Sequence, residues 1–467
     1  WPLTMFLDEN GVPFMGGTYF PKISSHGLPS FKEVLKKIGS IYTEQRIEIT
    51  KQSPLIIKNL ELKKSSVVSQ NLDSILQILI SNLDADKGGY KGTPKFPIFN
   101  VYETLIYFYN KNKDSKLIKP IEIIVNKLCS QGIYDQVEGG ISRYAIDDDW
   151  MIPHFEKMLY DNCQFISLLS KYAKIDKKDY YKKKIIQTIN FINDNFFVPK
   201  RNLLGSSYDA DSEGEEGKYY VFNHRELSAI ENIEKYFDIK PEGNWEGKII
   251  LKEKTYPPEG IISKLRSIRK KKVKPAFDNK IQLDLNCFWI SSLISANSVV
   301  PNKKFLENAE IFFNEIDQQF LQGEIYHSNS RDISFLEDFA YVINALIDLN
   351  EATLKPKYKF KAVEICKQAI DQFYVKEKKI FQKNKIKYND LFHNPIDISD
   401  HTIPNGNSIM LLNLTRLGFK KESQELATSL NGYLNNYKSF MASGLKAIDY
   451  FNEISAGKNC DTSGCKS

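Results

Sequence analysis

The stretches LDADKGGY (83–90) and IYDQVEGGI (133–141) read as two copies of one device: the end of a helix, a tight turn on a Gly-Gly pair, then an extended apolar residue. Neither pair has a strand–Gly–helix context, so Gly88-Gly89 and Gly139-Gly140 suit turns needing positive φ better than a phosphate cradle. Three diverged copies follow, FFVPKRNLLGSSY (196–208), FLQGEIYHS (320–328) and FYVKEKKIFQ (373–382). A supersecondary unit recurring along a chain is the mark of a repeat architecture.

Apolar residues at helical spacing between these copies predict twelve helices, near 70–83, 98–111, 117–131, 154–172, 176–196, 284–298, 302–320, 334–350, 356–374, 405–418, 420–431 and 434–449. Long connections follow the first, third, fifth, seventh and ninth, at 84–97, 132–153, 197–283, 321–333 and 375–404. Links of about three to five residues follow the second, fourth, sixth, eighth and tenth, as between antiparallel neighbours. An up-down array then places every long loop at one end. Six helical hairpins closed on themselves form an (α/α)6 toroid, its even-numbered helices inner and their N-termini opening into the elaborate rim.

The 467 residues suffice for one large helical domain and a small one. Hydrophobic content of 42% and charged content of 26% are ordinary globular values. No apolar run reaches the ~18 residues of a membrane span, so neither a membrane nor a disordered class fits. The net charge of +6 is dispersed. Its one dense run, KLRSIRKKKVK (264–274), lacks interleaved aromatics and reads as a solvated loop, not a nucleic-acid surface. Cys129, Cys163, Cys287 and Cys366 stand singly in apolar helices and read as buried thiols. Cys460 and Cys465, in NCDTSGC, fall in a Gly/Ser/Lys tail, read as a flexible terminus with a metal or redox pair as the alternative.

WPLTMFLDENGVPFMGGTYF (1–20) reads as two strands turning at Asn10-Gly11, and PSFKEVLKKIGSIY (29–42) as a helix. This is the pattern of the C-terminal half of a thioredoxin fold, with Pro2 in the place of that fold's cis-proline. No Cys-x-x-C precedes it, and the chain opens on Trp1, so truncation is the expectation. Domains are therefore expected at 1–60 (partial thioredoxin-like), 68–450 (toroid) and 451–467 (tail), with a cytoplasmic location.

The chemistry concentrates on the rim. In MIPHFEKMLYDN (151–162) the apolar stripe of the fourth helix is flanked by His154 and Asp161 on one side and by Glu156 and Tyr160 on the other. DADSEGEEG (209–217) begins like a calcium loop, but its twelfth position is Tyr220, so Asp209, Asp211 and Glu213 are expected to point into the cavity. Glu337 and Asp338 open the eighth helix, where they also favour the helix dipole. Asn405 is a probable N-cap of the tenth helix, leaving Asn407 to face the rim. Arg143, Tyr144, Trp150 and His401 complete the wall. Carboxylates, amides and aromatic faces together suit a polyhydroxylated small molecule. No metal or cofactor is indicated, and the oligomeric state stays open.

GTPKFP (92–97), GGISRYAIDDDWMIPHFEKMLYDN (139–162), SSYDADSEGEEGKYYVF (206–222), GNWEGKIIL (243–251), FLEDFA (335–340) and PNGNS (404–408) occur in this order. With WPLTMFLDENGVPFMGGTYFP (1–21) they resemble the spermatogenesis-associated protein 20 family over nearly the whole chain. The resemblance implies a thioredoxin-like domain fused to a six-hairpin toroid akin to N-acylglucosamine 2-epimerases, cellobiose 2-epimerases and six-hairpin glycosidases. It implies no defined reaction. Where that family has Trp-Asn-Gly opening the sixth helix, this chain has Leu285, Asn286 and Cys287, and only Asn286 carries over.

Three functions follow as expectations. A sugar epimerase or isomerase would use His154 as base with His401 or His327 as partner. A glycoside hydrolase would pair Asp211 with Glu337. A non-catalytic or redox-linked scaffold would present a ligand to the thioredoxin-like part.

Overall fold

The computed structural model describes residues 3–25, 27–63, 71–331, 333–387 and 391–458, with short pieces at 460–461 and 464–465. Its helices are α1 (Phe31–Glu44), α2 (Arg46–Leu60), α3 (Leu72–Ser81), α4 (Phe99–Asn112), α5 (Ser115–Ser130), α6 (Leu159–Ala173), α7 (Asp179–Asn195), α8 (His224–Ser228), α9 (Glu259–Arg269), α10 (Leu283–Asn297), α11 (Lys303–Phe320), α12 (Leu336–Thr353), α13 (Pro356–Phe373), α14 (Gly406–Leu417), α15 (Lys420–Tyr437) and α16 (Ala442–Ser455).

Strands Thr4–Leu7 and Pro13–Gly17 form an antiparallel hairpin. Its turn is an Asx turn: Asp8 Oδ1 accepts from the backbone N–H groups of Asn10 and Val12. The other oxygen of Asp8 accepts from Ser53 of α2 at 2.7 Å, docking that helix on the hairpin. Pro2 lies outside the described residues.

Helices α3, α5, α7, α11, α13 and α15 form an outer ring around α4, α6, α10, α12, α14 and α16. The outer helices are amphipathic; α5 buries Leu117, Ile121, Ile124, Val125 and Leu128 on one stripe. The inner ones are buried nearly all round, as in α6 and α14. Each inner helix packs on the next, and α16 returns to α4. There Thr104 donates to the Ala442 carbonyl and Tyr107 to Asp449, both at 3.0 Å, which closes the ring. All five long connections gather at the N-terminal end of the inner helices, as the loop lengths predict.

The repeated device is real in the backbone. Leu83 bridges Tyr90, Tyr134 bridges Ile141, Phe197–Val198 pairs with Leu203–Leu204, and Tyr374–Val375 with Ile380–Phe381. In the first two copies an aspartate (Asp84, Asp135) caps the turn, and the Gly-Gly pair carries φ of 74° and 72°, then 93° and 82°. A buried lysine then spans each turn: Lys95 reaches Asp84 and the Gly88 carbonyl, and Lys157 reaches Asp135 and the Gly139 carbonyl.

A second repeated element fastens rim to ring. Asn162 of α6, Asn286 of α10 and Asn407 of α14 each accept from one backbone N–H and donate to the C=O of the same residue, Ile141, Leu204 and Phe381 respectively. A side-chain amide offers one acceptor and two donors, which matches a strand residue's own pair. Asn286→Ala strands the Leu204 amide and carbonyl without partners; urea unfolding is expected to show a loss of about 2–4 kcal/mol.

Four sequence expectations need correction. The helix placed at 154–172 begins at Leu159. Pro153–His154 pairs instead with Tyr144–Ala145, and Lys157–Met158 with Ser207–Tyr208, because extended backbone there satisfies its amides on the rim strands. The last two helices divide at a 3-10 turn, Lys438–Met441, where Lys438 takes a positive φ. Helix α16 therefore runs past 450 to Ser455. Finally, the basic run 264–274 is no solvated loop: it ends α9, and Arg269 is 2% exposed. The Cys460 and Cys465 side chains lie outside the described residues.

Candidate functional site

Four successive positions around the mouth carry buried carboxyls. Asp161 stands in the first turn of α6, Asp284 in that of α10, Glu337 in that of α12, and Asp400 in the connection leading to α14. Burial pushes all four upward in pKa, and Asp284, beside Asp338, reaches about 7. Three of them act on one group: the Tyr341 hydroxyl of α12 feels the charges of Glu337, Asp284 and Asp400 together, and donates to the Pro404 carbonyl at 2.6 Å.

The tightest cluster is Asp284, His327 and Asp338. His327 comes from the fourth repeat copy, and its Nδ1 lies 2.8 Å from Asp338 Oδ1. The other Asp338 oxygen accepts from the Phe335 amide at 2.8 Å, so this carboxylate is held from both sides. Burial works against the imidazolium, but the Asp338 bond and the charges of Asp338, Asp284 and Glu337 lift His327 to about 9. Its Nε2 lies 2.9 Å from one end of the Gln282 amide, whose other end is 2.8 Å from Ser206 Oγ. The Gln282 Nε2 atom faces His327, and its Oε1 accepts from Ser206, whose hydroxyl also lies 2.6 Å from the Lys280 carbonyl. The Asp338 bond and the surrounding carboxylates favour the imidazolium.

At α6 the side chains of Arg143, Glu156 and His154 meet. Arg143 Nη1 donates to Glu156 Oε2 at 2.8 Å, and His154 Nδ1 lies 2.7 Å from Glu216 Oε1. The His154 ring stacks on Tyr144 (4.8 Å, 17°), which in turn lies 4.8 Å from Phe96. Ser206 links this wall to the α10 side, accepting from the Leu159 amide while bonding Gln282.

The connection to α14 folds over the mouth. Gln164 of α6, across the ring from α14, donates to the Thr402 carbonyl at 2.9 Å. Asp400 Oδ2 accepts from the Ser443 amide of α16 at 2.7 Å, and Oδ1 from the Asn405 amide at 3.1 Å.

The sequence-derived candidates divide. Arg143, Tyr144, His154, Glu156 and Asp161 assemble on the α6 side, and Glu337 and Asp338 on the α12 side with Asp284 and His327. Asn286, Asn405 and Asn407 face the rim but have their amides engaged by backbone; Asn405 caps α14 through the Ser408 amide. Trp150 is fully buried under Gly89, its Nε1 donating to the Lys87 carbonyl. Asp209, Asp211 and Glu213 are exposed on a hairpin over the rim, with Glu213 beside Lys218 at 3.3 Å. His401 is 72% exposed in its side chain, near Asp397. Asp284 was not among the sequence's choices. The signal for Asp284 was its first-turn position in an inner helix, the same feature that singled out Glu337.

Fold and site together place the chain in the class of six-hairpin (α/α)6 toroids. The same fold is seen in cellobiose 2-epimerase from Bacillus thermoamylovorans (TM-score 0.54, 9% identity, covering 82% of this chain and 98% of that one) and in a D-mannose isomerase (TM-score 0.51, 12% identity, covering 84% and 100%). Residues 1–61 match the family Thioredox_DsbH, described as a protein of unknown function, DUF255. Human spermatogenesis-associated protein 20 is a homologue, 24% identical over 431 residues, 76% of this chain and 54% of that protein. An uncharacterized protein of Caenorhabditis elegans, B0495.5, is 24% identical over 92% of this chain and 68% of its own length. The chain thus spans about half the length of the human relative (54%). No helix among the described residues is long and apolar enough to cross a membrane.

Proposed function

We propose that the toroid is a sugar epimerase or isomerase whose proton transfers are made by Asp284 and His327. The observation that carries this reading is the buried Asp284–His327–Asp338 cluster on the first turns of adjacent inner helices, with an ionisable carboxyl and an imidazolium held together. Asp284, as carboxylate, takes the proton from the carbon beside the sugar carbonyl, and His327 Nε2–H gives its proton to the carbonyl oxygen. The product is a neutral enediol. Once the enediol has turned its other face to Asp284, return of that proton to the same carbon, with the O1–H proton passing back to His327, gives the epimer; return to the neighbouring carbon, with the O2–H proton passing to His327, gives the isomer. Asp338 keeps His327 oriented and protonated. Two structures of the same fold bear names of this reaction class, cellobiose 2-epimerase and D-mannose isomerase, which supports the choice of substrate.

The test is proton NMR in D2O with D-mannose, D-glucose, N-acetyl-D-glucosamine and cellobiose. Loss of the C2–H signal supports the reading, and no exchange with any of the four overturns it. Where exchange occurs, its rate should rise through pH about 7 as Asp284 ionises and fall through about 9 as His327 loses its proton.

A metal-dependent reaction is the second reading, because Asp284, His327 and Asp338 offer donor atoms within 4.8 Å of one another. Ligation would require His327 to release Asp338 or Gln282. Exchange abolished by EDTA and restored by Mn2+ or Zn2+ would favour it.

A further inference from the structure

Besides Glu337 Oε2, next to Asp338, two buried polar atoms on the α6 side of the rim have no hydrogen-bond partner among the described residues: Oδ2 of Asp161 and Nε of Arg143. Folded chains satisfy nearly all such atoms, because each one left bare lowers stability. The two belong to one neighbourhood. Arg143 is fixed at its Nη1 by Glu156 and at its backbone amide by the Glu156 carbonyl, and the charges of Arg143 and Asp161 act on each other. Asp161 is 4% exposed, on an inner helix beginning. The next residue after Arg143, Tyr144, belongs to the ring stack that ends in the 40% exposed Phe96.

We infer that Arg143 Nε and Asp161 Oδ2 are a recognition pair for two neighbouring hydroxyls of a saccharide, on the α6 side of the rim. The inference rests on the sugar reading above and names the part of the ligand recognised. The chemistry narrows the ligand. An anion would meet Asp161, Glu156, Asp284 and Glu337; a cation would meet Arg143. A hydroxyl is neutral, accepts from Nε–H, and both donates and accepts, so it suits Asp161 whether or not the carboxyl carries a proton. Adjacent hydroxyls satisfy both atoms at once.

The test uses D-mannose and its 3-deoxy, 4-deoxy and 6-deoxy analogues, with binding measured by saturation-transfer NMR and titration on wild type, Asp161→Asn and Arg143→Lys. Wild type is expected to bind the 3-deoxy and 4-deoxy analogues, which each lack one of two neighbouring hydroxyls, about tenfold more weakly than D-mannose. Asp161→Asn should lose the discrimination against one of them and Arg143→Lys against the other. Unchanged discrimination in the variants, with D-mannose still bound, overturns the pair and leaves the sugar reading standing. D-mannose that neither binds nor exchanges on wild type overturns both. A readout independent of any sugar is thermal unfolding of Asp161→Leu. Relief of a bare buried carboxyl should leave the melting temperature equal or higher; a fall of several degrees assigns Asp161 to the scaffold and defeats the inference.

Discussion

His327→Gln is expected to lower C2–H exchange by about 10²–10⁴-fold, the usual yield of one positioned acid. The substitution keeps an amide within reach of Asp338 but cannot carry the transferable proton. The fold should survive, since His327 is partly exposed and its loss opens no core cavity. Circular dichroism and the unfolding midpoint should match wild type. Asp338→Asn is the second arm. It leaves the imidazole in place but removes the nearest charge that raises it, so the falling limb of the pH profile should move below its wild-type position near 9. Full exchange activity in His327→Gln would remove the histidine from the mechanism.

Asp135→Ala is expected to cost about 3–5 kcal/mol of stability, since it leaves buried Lys157 without its carboxylate and Arg269 with only Glu138, 3.9 Å away. Arg269 Nη1 lies 2.7 Å from both Asp135 oxygens, and Lys157 Nζ lies 2.9 Å from Oδ2. Burial opposes the charged carboxylate, but Arg269 and Lys157 outweigh it and hold the pKa well below the usual range. The unfolded chain therefore binds this proton more readily than the folded one. The stabilisation is complete above the unfolded pKa of about 4 and is lost as pH falls toward the folded value. Guanidinium titrations of wild type at pH 7 and pH 3 should show this acid loss, and Asp135→Ala should lack that part of it. The first repeat copy provides the internal control. Asp84 faces Lys95 without an arginine and is more exposed, so Asp84→Ala should cost clearly less. Equal losses at the two positions would refute the role given to Arg269.

Much of the architecture was legible because it is local. Apolar spacing on α5 or α12 reports which face of that helix is buried, and link length reports which helices are antiparallel neighbours. The ring helices fall near where the periodicity put them, apart from the start of α6 and the division between α15 and α16, and the Gly-Gly turns have the positive φ that glycine permits. The start of α6 was misread because Phe155, Met158 and Leu159 keep helical spacing while their backbone pairs with strands from 144–145 and 207–208.

The amino-acid order by itself determined the twelve-helix toroid, the rim that bears the elaborate loops, and the first-turn acids Glu337 and Asp338; Asp161, read two turns inside its helix, stands in a first turn because that helix begins at Leu159. Tertiary structure alone decided which polar side chains fasten the scaffold and which gather as titratable groups at the inner-helix starts. Lys157 and Arg269 meet on Asp135 although Arg269 is 134 residues away, and Asn286 and Asn407 are taken up by strands. Asp284 and His327 acquire their protonation behaviour only where α10, α12 and a rim loop converge. A side chain's periodicity is set by its own helix, whereas its pKa and its hydrogen-bond partners are set by whatever the fold brings within a few ångströms.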